Sequence, residues 1–513
     1  MVRDLLRLLC CGTLTLSGLV GCQQEGSPQS PAEMPRALAA PPAEAIPAKT
    51  TATEPPTKTA DDILGEEALS PVALNGPSEL LVRPDDRRPQ HDEASLAQAG
   101  IHLFESKRLK LFTDVPAAEA EPLPQLVDQL YDELEQYFGP LPPDRQGSSF
   151  QMTGYLVNDL ELFRSQGLLP EEFTFDHGVQ RRNEFWVRDQ DLDYYRRHLV
   201  LHEATHCFMN YMPDVDAPLW YMEGMAEYFA THRIGESGAQ FRVMPTSARD
   251  FAGFGRMGII RRDVATKLTP PIPSIASLEP AVFKTADPYA WSWALCAFLD
   301  GTPRYRNQFQ KLGQATRGGK FEQEFRNSFP DEDRELATGW QLFLIHARYG
   351  YDFEHAAIDF QPGEPLSLSR PEASISISAQ RGWQSSRVLL EAGKTYEISA
   401  TGRFTLKAAT GDTRAWESDP QGISFRYVDG LPMGTLVGCL RTETGPAGGS
   451  DDAMLQTIRI GNQRTFQAPV TGTFYLRLND DWNSFFDNSG EVQVTLREVR
   501  SVGPVESDTQ PGN

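Results

Sequence analysis

The stretch that constrains this chain most is Leu199-Val200-Leu201-His202-Glu203-Ala204-Thr205-His206-Cys207-Phe208-Met209. Histidines at positions i and i+4 of a helix stand one above the other on the same face. That separation lets two imidazole nitrogens reach one tetrahedral zinc ion. Glu203, between them, is placed to take a proton from water held at such a metal. The flanking residues are uncharged, so the helix is expected to lie buried against the floor of a cleft.

After His206 the chain passes through Pro213-Asp214-Val215-Asp216-Ala217-Pro218 into Trp220-Tyr221-Met222-Glu223-Gly224-Met225-Ala226-Glu227-Tyr228-Phe229. Catalytic zinc takes three protein ligands and keeps one position open, and a glutamate on a second helix can be the third. Together the two segments resemble the gluzincin metallopeptidases, whose pattern is HExxH, a gap of comparable length, then a tryptophan-containing segment ending in Glu-Gly-x-Ala. The resemblance implies His202, His206 and Glu223 as zinc ligands and Glu203 as general base. It implies that Glu227, one turn on, holds a zinc histidine by its other ring nitrogen. It also implies a tyrosine or histidine from a later helix that hydrogen-bonds the developing oxyanion.

Ala286-Asp287-Pro288-Tyr289 supplies a candidate for that last role. Asp287 reads as an N-cap and Pro288 as a first-turn residue, which puts Tyr289 near a helix start. A plain packing role for Tyr289 stands beside this one, and Tyr221, Tyr228 and His232 compete as donors. His198, a turn upstream of His202, reads as structural. Cys207 is about 100° round the helix from His206 and reads as a core thiol.

The chain opens with a short basic region and an apolar run ending Leu19-Val20-Gly21-Cys22. The run is too short to span a membrane as a mature helix and reads as a signal peptide over 1–21. Leu-Val-Gly-Cys resembles the bacterial lipobox, which implies lipid on Cys22; a plain secretory signal is the alternative. Gln23 stands where some lipoproteins carry a retaining aspartate, which points to the outer membrane or cell surface. Residues 22–98 are rich in Pro, Ala, Glu, Thr and Ser and read as a disordered tether. With 70 acidic against 48 basic residues, the charge disfavours nucleic acid as a partner. Cys207, Cys296 and Cys439 stand too far apart to suggest a disulfide framework.

The remainder is long enough for two domains. Residues 99–362 carry the zinc motif. Extended segments are expected at 101–104, 109–113, 151–157 and 183–187, helices at 122–138 and 159–163, and a polar loop at Asp176-His177-Gly178. Further helices are expected at 304–314, 320–328 and 332–349. The fold class is thus an α+β zincin-like metallopeptidase domain, in which the resemblance implies an edge strand that pairs with an extended peptide. Residues 370–500 change to a two-residue period at 374–377, 395–400, 473–478 and 491–496, with glycine-bearing turns between. An all-β antiparallel β-sandwich follows, with a flexible tail over 501–513.

Between two of those strands lies Asn479-Asp480-Asp481-Trp482-Asn483-Ser484-Phe485-Phe486-Asp487-Asn488-Ser489-Gly490, a run of oxygen donors suited to a hard cation. Residues 386–498 resemble the calcium lectin fold of a bacterial galactophilic lectin. The resemblance implies side-chain oxygens of Asp480, Asp487 and Asn488 and backbone carbonyls of Ser484 and Leu406 as calcium ligands. The lectin has a tyrosine at the Leu406 position and an asparagine at the Asp487 position, while Phe485 and Phe486 fill the sugar-facing loop. A polar hairpin on a structural sandwich is the alternative.

The combined expectation is a lipid-anchored, extracytoplasmic zinc peptidase whose sandwich, with or without calcium, holds it on a glycan or surface. Its partners would be a protein or peptide substrate, a glycan ligand and a membrane. The alternative from another class is a non-catalytic envelope protein that binds glycans and retains a zinc fold.

Overall fold

A computed structural model describes residues 82–499 except 84–85, 213–214, 317–318, 447–448 and 450. The signal sequence, the lipobox with Cys22, most of the tether and the C-terminal tail lie outside the described residues. Among those described, no helix is long and apolar enough to cross a membrane.

The N-terminal half is built on a five-stranded sheet of β1 (His102–Glu105), β2 (Leu109–Thr113), β3 (Met152–Val157), β4 (Gly178–Arg181) and β5 (Glu184–Arg188). Its order is β1-β2-β3-β5-β4. The inner pairs β2/β3 and β3/β5 are parallel, and the outer strands run antiparallel. Every residue of β3 is buried, as a strand covered on both faces requires. One face is closed by Ile101, Phe163, Leu168 and Phe173. On the other lies the helical layer.

That layer begins with α1 (Leu123–Phe138) and α2 (Asp193–Asn210), followed by α3 (Leu219–Ala230). In α1, Leu126, Leu130, Leu134 and Phe138 face inward as the sequence period predicts. Helix α2 packs on β3, β4 and β5. Its N-terminal end is fixed by Arg196, bonded to Asp189 at 2.5 Å, Asp193 at 2.8 Å and Glu119 at 2.6 Å. All of α3 is buried, which is how a helix apolar on every side behaves. Beyond it come α4 (Arg256–Ala265), α5 (Ala286–Gly301), two helices over Pro303–Ala315 and Phe321–Ser328, and α6 (Arg334–His346). Helix α6 stops at His346 rather than running to 349. Helix α5 starts at Ala286 with Thr285 at the cap; Asp287 is a first-turn residue bonded to Arg262 at 3.0 Å, not the N-cap.

The C-terminal half is β-rich. The principal strands are β6 (Glu372–Ser378), β7 (Gln384–Leu390), β8 (Thr395–Thr401), β9 (Phe404–Lys407), β10 (Ile423–Val428), β11 (Leu436–Thr442), β12 (Gln463–Gln467), β13 (Gly472–Leu478) and β14 (Ser489–Glu498). One sheet pairs β11, β13 and β7; the other pairs β9, β14, β8 and β12, with β6 also on β14. Pairing is antiparallel except that Glu364–Pro365 joins β7 in parallel. Burial alternates along β8, the two-residue period that the sequence carries. The outer face of the first sheet is not solvated: Trp383, Val437, Cys439, Tyr475 and Trp482 belong to the same apolar core as helices α1–α6.

Candidate metal centre

On α2, His202 and His206 project from adjacent turns of one face, and α3 crosses beside them. On its other side α3 packs closely on α5 because Gly224 has no side chain: a Cβ there would lie 2.6 Å from Cys296 Sγ and 2.7 Å from the Ser292 carbonyl of α5. The glycine of Glu-Gly-x-Ala therefore lets α5 press α3, and with it Glu223, onto the histidines.

The three donors form a triangle. His202 Nε2 and His206 Nε2 are 3.1 Å apart, and Glu223 Oε2 lies 3.3 Å and 3.2 Å from them. Ligands at zinc bond lengths in a tetrahedron stand roughly 3.4 Å from one another, so one ion fits these three atoms. Burial would raise the Glu223 carboxyl, but His206 and His202 outweigh it and hold it down at about 2. The carboxylate is thus ionised and available as a ligand.

Glu227 sits one turn further along α3. Its Oε1 is 3.5 Å from His202 Nδ1, a long contact on the ring nitrogen facing away from the triangle. Its Oε2 is 3.2 Å from His198 Nε2, whose Nδ1 faces the Ala230 carbonyl at 3.0 Å. Arg256 of α4 grips the same carboxylate twice, at 2.7 and 3.1 Å. Burial again works against the charge, and Arg256 with His198 holds the carboxyl well below its usual range. His198, His202 and Glu227 form a second cluster of ligand-type residues, but the guanidinium already supplies its positive charge.

Glu203 is buried at 1% exposure. Gly178, which opens β4, runs against its carboxylate, so that a Cβ at Gly178 would collide with Glu203 Oε1. Asp176 and His177 form the expected polar loop, and Gly178 opens the edge strand β4; Arg188 N–H bonds the His177 carbonyl at 2.6 Å beside the β4/β5 ladder. Glu203, Glu223 and Glu227 are all buried, and Arg256 is bonded to Glu227. Buried carboxylates persist as charges only when paired or metal-bound.

Tyr289 is fully buried, its ring 6.5 Å from that of His202, with Arg256 over its face at 5.6 Å. Its hydroxyl is 3.5 Å from the Phe283 carbonyl. The competing donors point elsewhere. Tyr228 donates to Asp300 at 3.2 Å, Tyr221 packs among Phe309 and Phe321, and His232 meets the Ala230 carbonyl at 2.8 Å. Cys207 is a buried thiol that burial pushes well up.

Sequence reasoning missed Arg256, Gly178 and the pair His177–Tyr195, whose ring nitrogen and hydroxyl lie 3.5 Å apart near the start of β4. For Arg256 there was no signal, because its partner is 29 residues away.

The second candidate site lies on the loop between β13 and β14. Asp480 is fully buried; its Oδ1 accepts from Asp481 N–H at 2.6 Å and Ser484 Oγ at 3.0 Å, and its Oδ2 from Asn488 Nδ2 at 2.8 Å. Burial pushes its carboxyl up to about 6. Asn488 Oδ1 and Asp487 Oδ1 are buried without a hydrogen-bond partner. The register of β9 on β14 puts Phe404 opposite Gly490 and Thr405 opposite Ser489; Leu406 is the next residue of β9. Phe485 is turned into the core rather than towards a ligand, while Phe486 is 65% exposed.

No protein-family model matches the chain, and no curated protein matches it. Among solved structures it is similar to the EclA N-terminal domain, described as a PllA-like lectin. That match has 21% identity and TM-score 0.19, and covers 25% of this chain and 96% of the lectin. PliG of Aeromonas hydrophila, a periplasmic inhibitor of g-type lysozyme, matches at 9% identity and TM-score 0.16, covering 28% of this chain and 97% of PliG. A de novo designed double-stranded β-helix matches at 13% identity and TM-score 0.12, covering 25% of this chain and 97% of the design.

Proposed function

We propose that the chain is a zinc-dependent peptidase, with zinc on His202, His206 and Glu223 and with a β-sandwich that attaches it to a surface or glycan. The observation that carries this reading is the triangle of two imidazole nitrogens and one carboxylate oxygen, with edges of 3.1–3.3 Å, beside the buried Glu203. A purely structural site has no need of a carboxylate held next to it. When bound, zinc supplies Lewis acidity, which lowers the pKa of a water and polarises a carbonyl.

In this reading Glu203 takes the proton of the attacking water and returns it to the leaving amine. Glu227, gripped by Arg256, holds His202 in orientation and keeps its Nε2 free to ligate. Tyr289, whose ring lies 6.5 Å from that of His202, is the donor assigned to the oxyanion. The edge strand β4 presents backbone groups along which an extended peptide would lie. Cys22 would carry the lipid that places the enzyme in the cell envelope.

The test is metal content per chain and peptide cleavage in the native protein, in His202→Ala and in Glu203→Gln. The reading requires about one zinc per native chain, lost in His202→Ala and kept in Glu203→Gln, with cleavage lost in both. A native chain that binds no zinc after repletion, or a Glu203→Gln variant that cleaves normally, overturns it.

A second reading concerns the β13–β14 loop. Calcium there is favoured by the two buried, partnerless oxygens of Asp487 and Asn488 next to the buried Asp480. A hard cation takes oxygen donors of this kind. Isothermal titration with calcium tests it, with Asn488→Ala as the control.

A further inference from the structure

The same loop that offers oxygens to a cation also docks the sandwich onto the helical half, and the two sets of residues alternate along it. Asp480, Asp487 and Asn488 face the candidate cation position. Asp481, Trp482 and Asn483, between them, face the segment that follows α6. Asp481 Oδ1 accepts from Arg348 at 2.7 Å. The Trp482 carbonyl accepts from Asp352 N–H at 2.9 Å, and Asn483 Nδ2 donates to the Tyr349 carbonyl at 3.0 Å. The Trp482 indole stacks on His346 at 4.3 Å and lies parallel to Tyr351 at 6.2 Å. Arg477, at the end of β13, covers Trp482 at 4.9 Å.

We propose that residues 480–488 form a cation-organised clasp. A hard divalent cation of the calcium class, held by Asp480, Asp487 and Asn488, sets the loop so that Asp481, Trp482 and Asn483 engage His346–Asp352 of the helical half. The inference rests on the calcium reading of this loop and is independent of the peptidase reading.

The physical argument has two parts. An ion shared by positions 480 and 487–488 closes a short loop, and closing it in advance removes conformational freedom that docking would otherwise have to remove. It also neutralises the carboxylates of Asp480 and Asp487. Asp481 is then the acidic group of this turn that answers arginines, Arg348 from the helical half and Arg426 of β10 at 2.9 Å. Without the ion, Asp480 is held by the loop's own donors, Asp481 N–H and Ser484 Oγ. Asn488 Oδ1 and Asp487 Oδ1 are left with nothing. The loop is then closed by the hydrogen bond from Asn488 Nδ2 to Asp480 Oδ2 at 2.8 Å, and the ion adds a second link across the turn that carries Trp482.

The test is hydrogen–deuterium exchange on the intact chain, stripped of divalent ions and given back stoichiometric zinc in every arm, with and without excess calcium. Calcium should slow exchange at least ~10-fold both in 479–490 and in 346–353. Magnesium should not, because it resists the irregular oxygen cage that calcium accepts. Asp487→Ala, which removes a partnerless oxygen, should abolish both effects; Asn488→Ala serves as a second variant. Trp482→Leu should keep calcium binding and the protection of 479–490 while losing the effect at 346–353. Calcium that binds and protects 479–490 but leaves 346–353 unchanged in the native chain overturns the clasp and leaves the cation site standing. A native chain that binds no calcium overturns both.

Discussion

The metal centre and the β13–β14 loop are both clusters of ligand-type side chains, yet they are built in opposite ways. The centre takes two donors from successive turns of α2 and a third from α3, and rigid helices fix all three. Its buried charge is met by residues outside the triangle: Arg256 grips Glu227 at 2.7 Å, and Glu227 reaches His202. The loop takes its donors from a turn of irregular backbone, and its polar groups are satisfied largely by each other, with two oxygens left over. Helix-borne sites are more sharply placed than loop-borne ones. The first is therefore expected to hold its shape with or without metal, and the second to depend on its ion.

Four measurements break or sharpen that contrast. The largest effect is expected for Glu203→Gln. Removing a general base lowers turnover by about 10²–10⁴-fold, and in a preorganised centre zinc content should stay at the native level. Metal loss in that variant would mean the centre is as soft as the loop.

Next comes Arg256→Met, which leaves Glu227 buried without its guanidinium. Breaking a buried pair by removing one partner costs about 3–5 kcal/mol, to be read from denaturant unfolding. Zinc affinity should fall by roughly 10–100-fold, as for other losses of support behind a ligand. Arg256→Lys should restore part of each. If stability drops but zinc affinity does not, Glu227 is not orienting His202.

Gly178→Ala addresses the edge strand. The added methyl must displace β4 or the Glu203 carboxylate. A displacement of about 1 Å can cost on the order of 10²-fold in rate, with zinc retained. Normal turnover would show that Glu203 has room to move.

The smallest effect concerns the loop. Burial pushes the Asp480 carboxyl up to about 6 from 3.8. Because the folded value is the higher one, its contribution to stability is fully present below the unfolded pKa. It is lost as pH rises through the folded value. In calcium-free protein, Asp480→Asn should therefore gain stability relative to the native chain between about pH 4 and pH 7. The gain should be on the order of 3 kcal/mol at the upper end of that range, since one pKa unit is 1.36 kcal/mol. Saturating calcium should reverse the order. Equal melting profiles across that range would remove the cost assigned to this buried carboxylate.

Much of the helical half was legible because its signals are local. The inward stripe of α1 and the i, i+4 pair of α2 follow from helix periodicity, and the strands of the sandwich from alternation. The expected loop holds at Asp176 and His177, but the strand β4 that opens at Gly178 was not foreseen, because its pairing with β5 is made by residues whose partners nothing in the sequence encodes. Asp287 lost the capping role because Thr285 caps the helix two residues earlier and Arg262 claims its carboxylate. Among the tyrosines, sequence gave no means of choosing. Asp300 on α5 takes the Tyr228 hydroxyl, and the aromatic rings of the following helices take Tyr221.

By itself, then, the sequence determined that His202 and His206 share one helix face, while Glu223 came from the resemblance and is brought to them by packing. It determined the change from helical to two-residue period, and with it the β-rich second half. Tertiary structure alone decided that Arg256 grips Glu227, that β4 runs against Glu203, and that the oxygen-rich loop lies at the seam between the two halves. These are contacts between residues far apart in the chain, and they exist only after packing has excluded water and left each buried charge to find the one partner within reach.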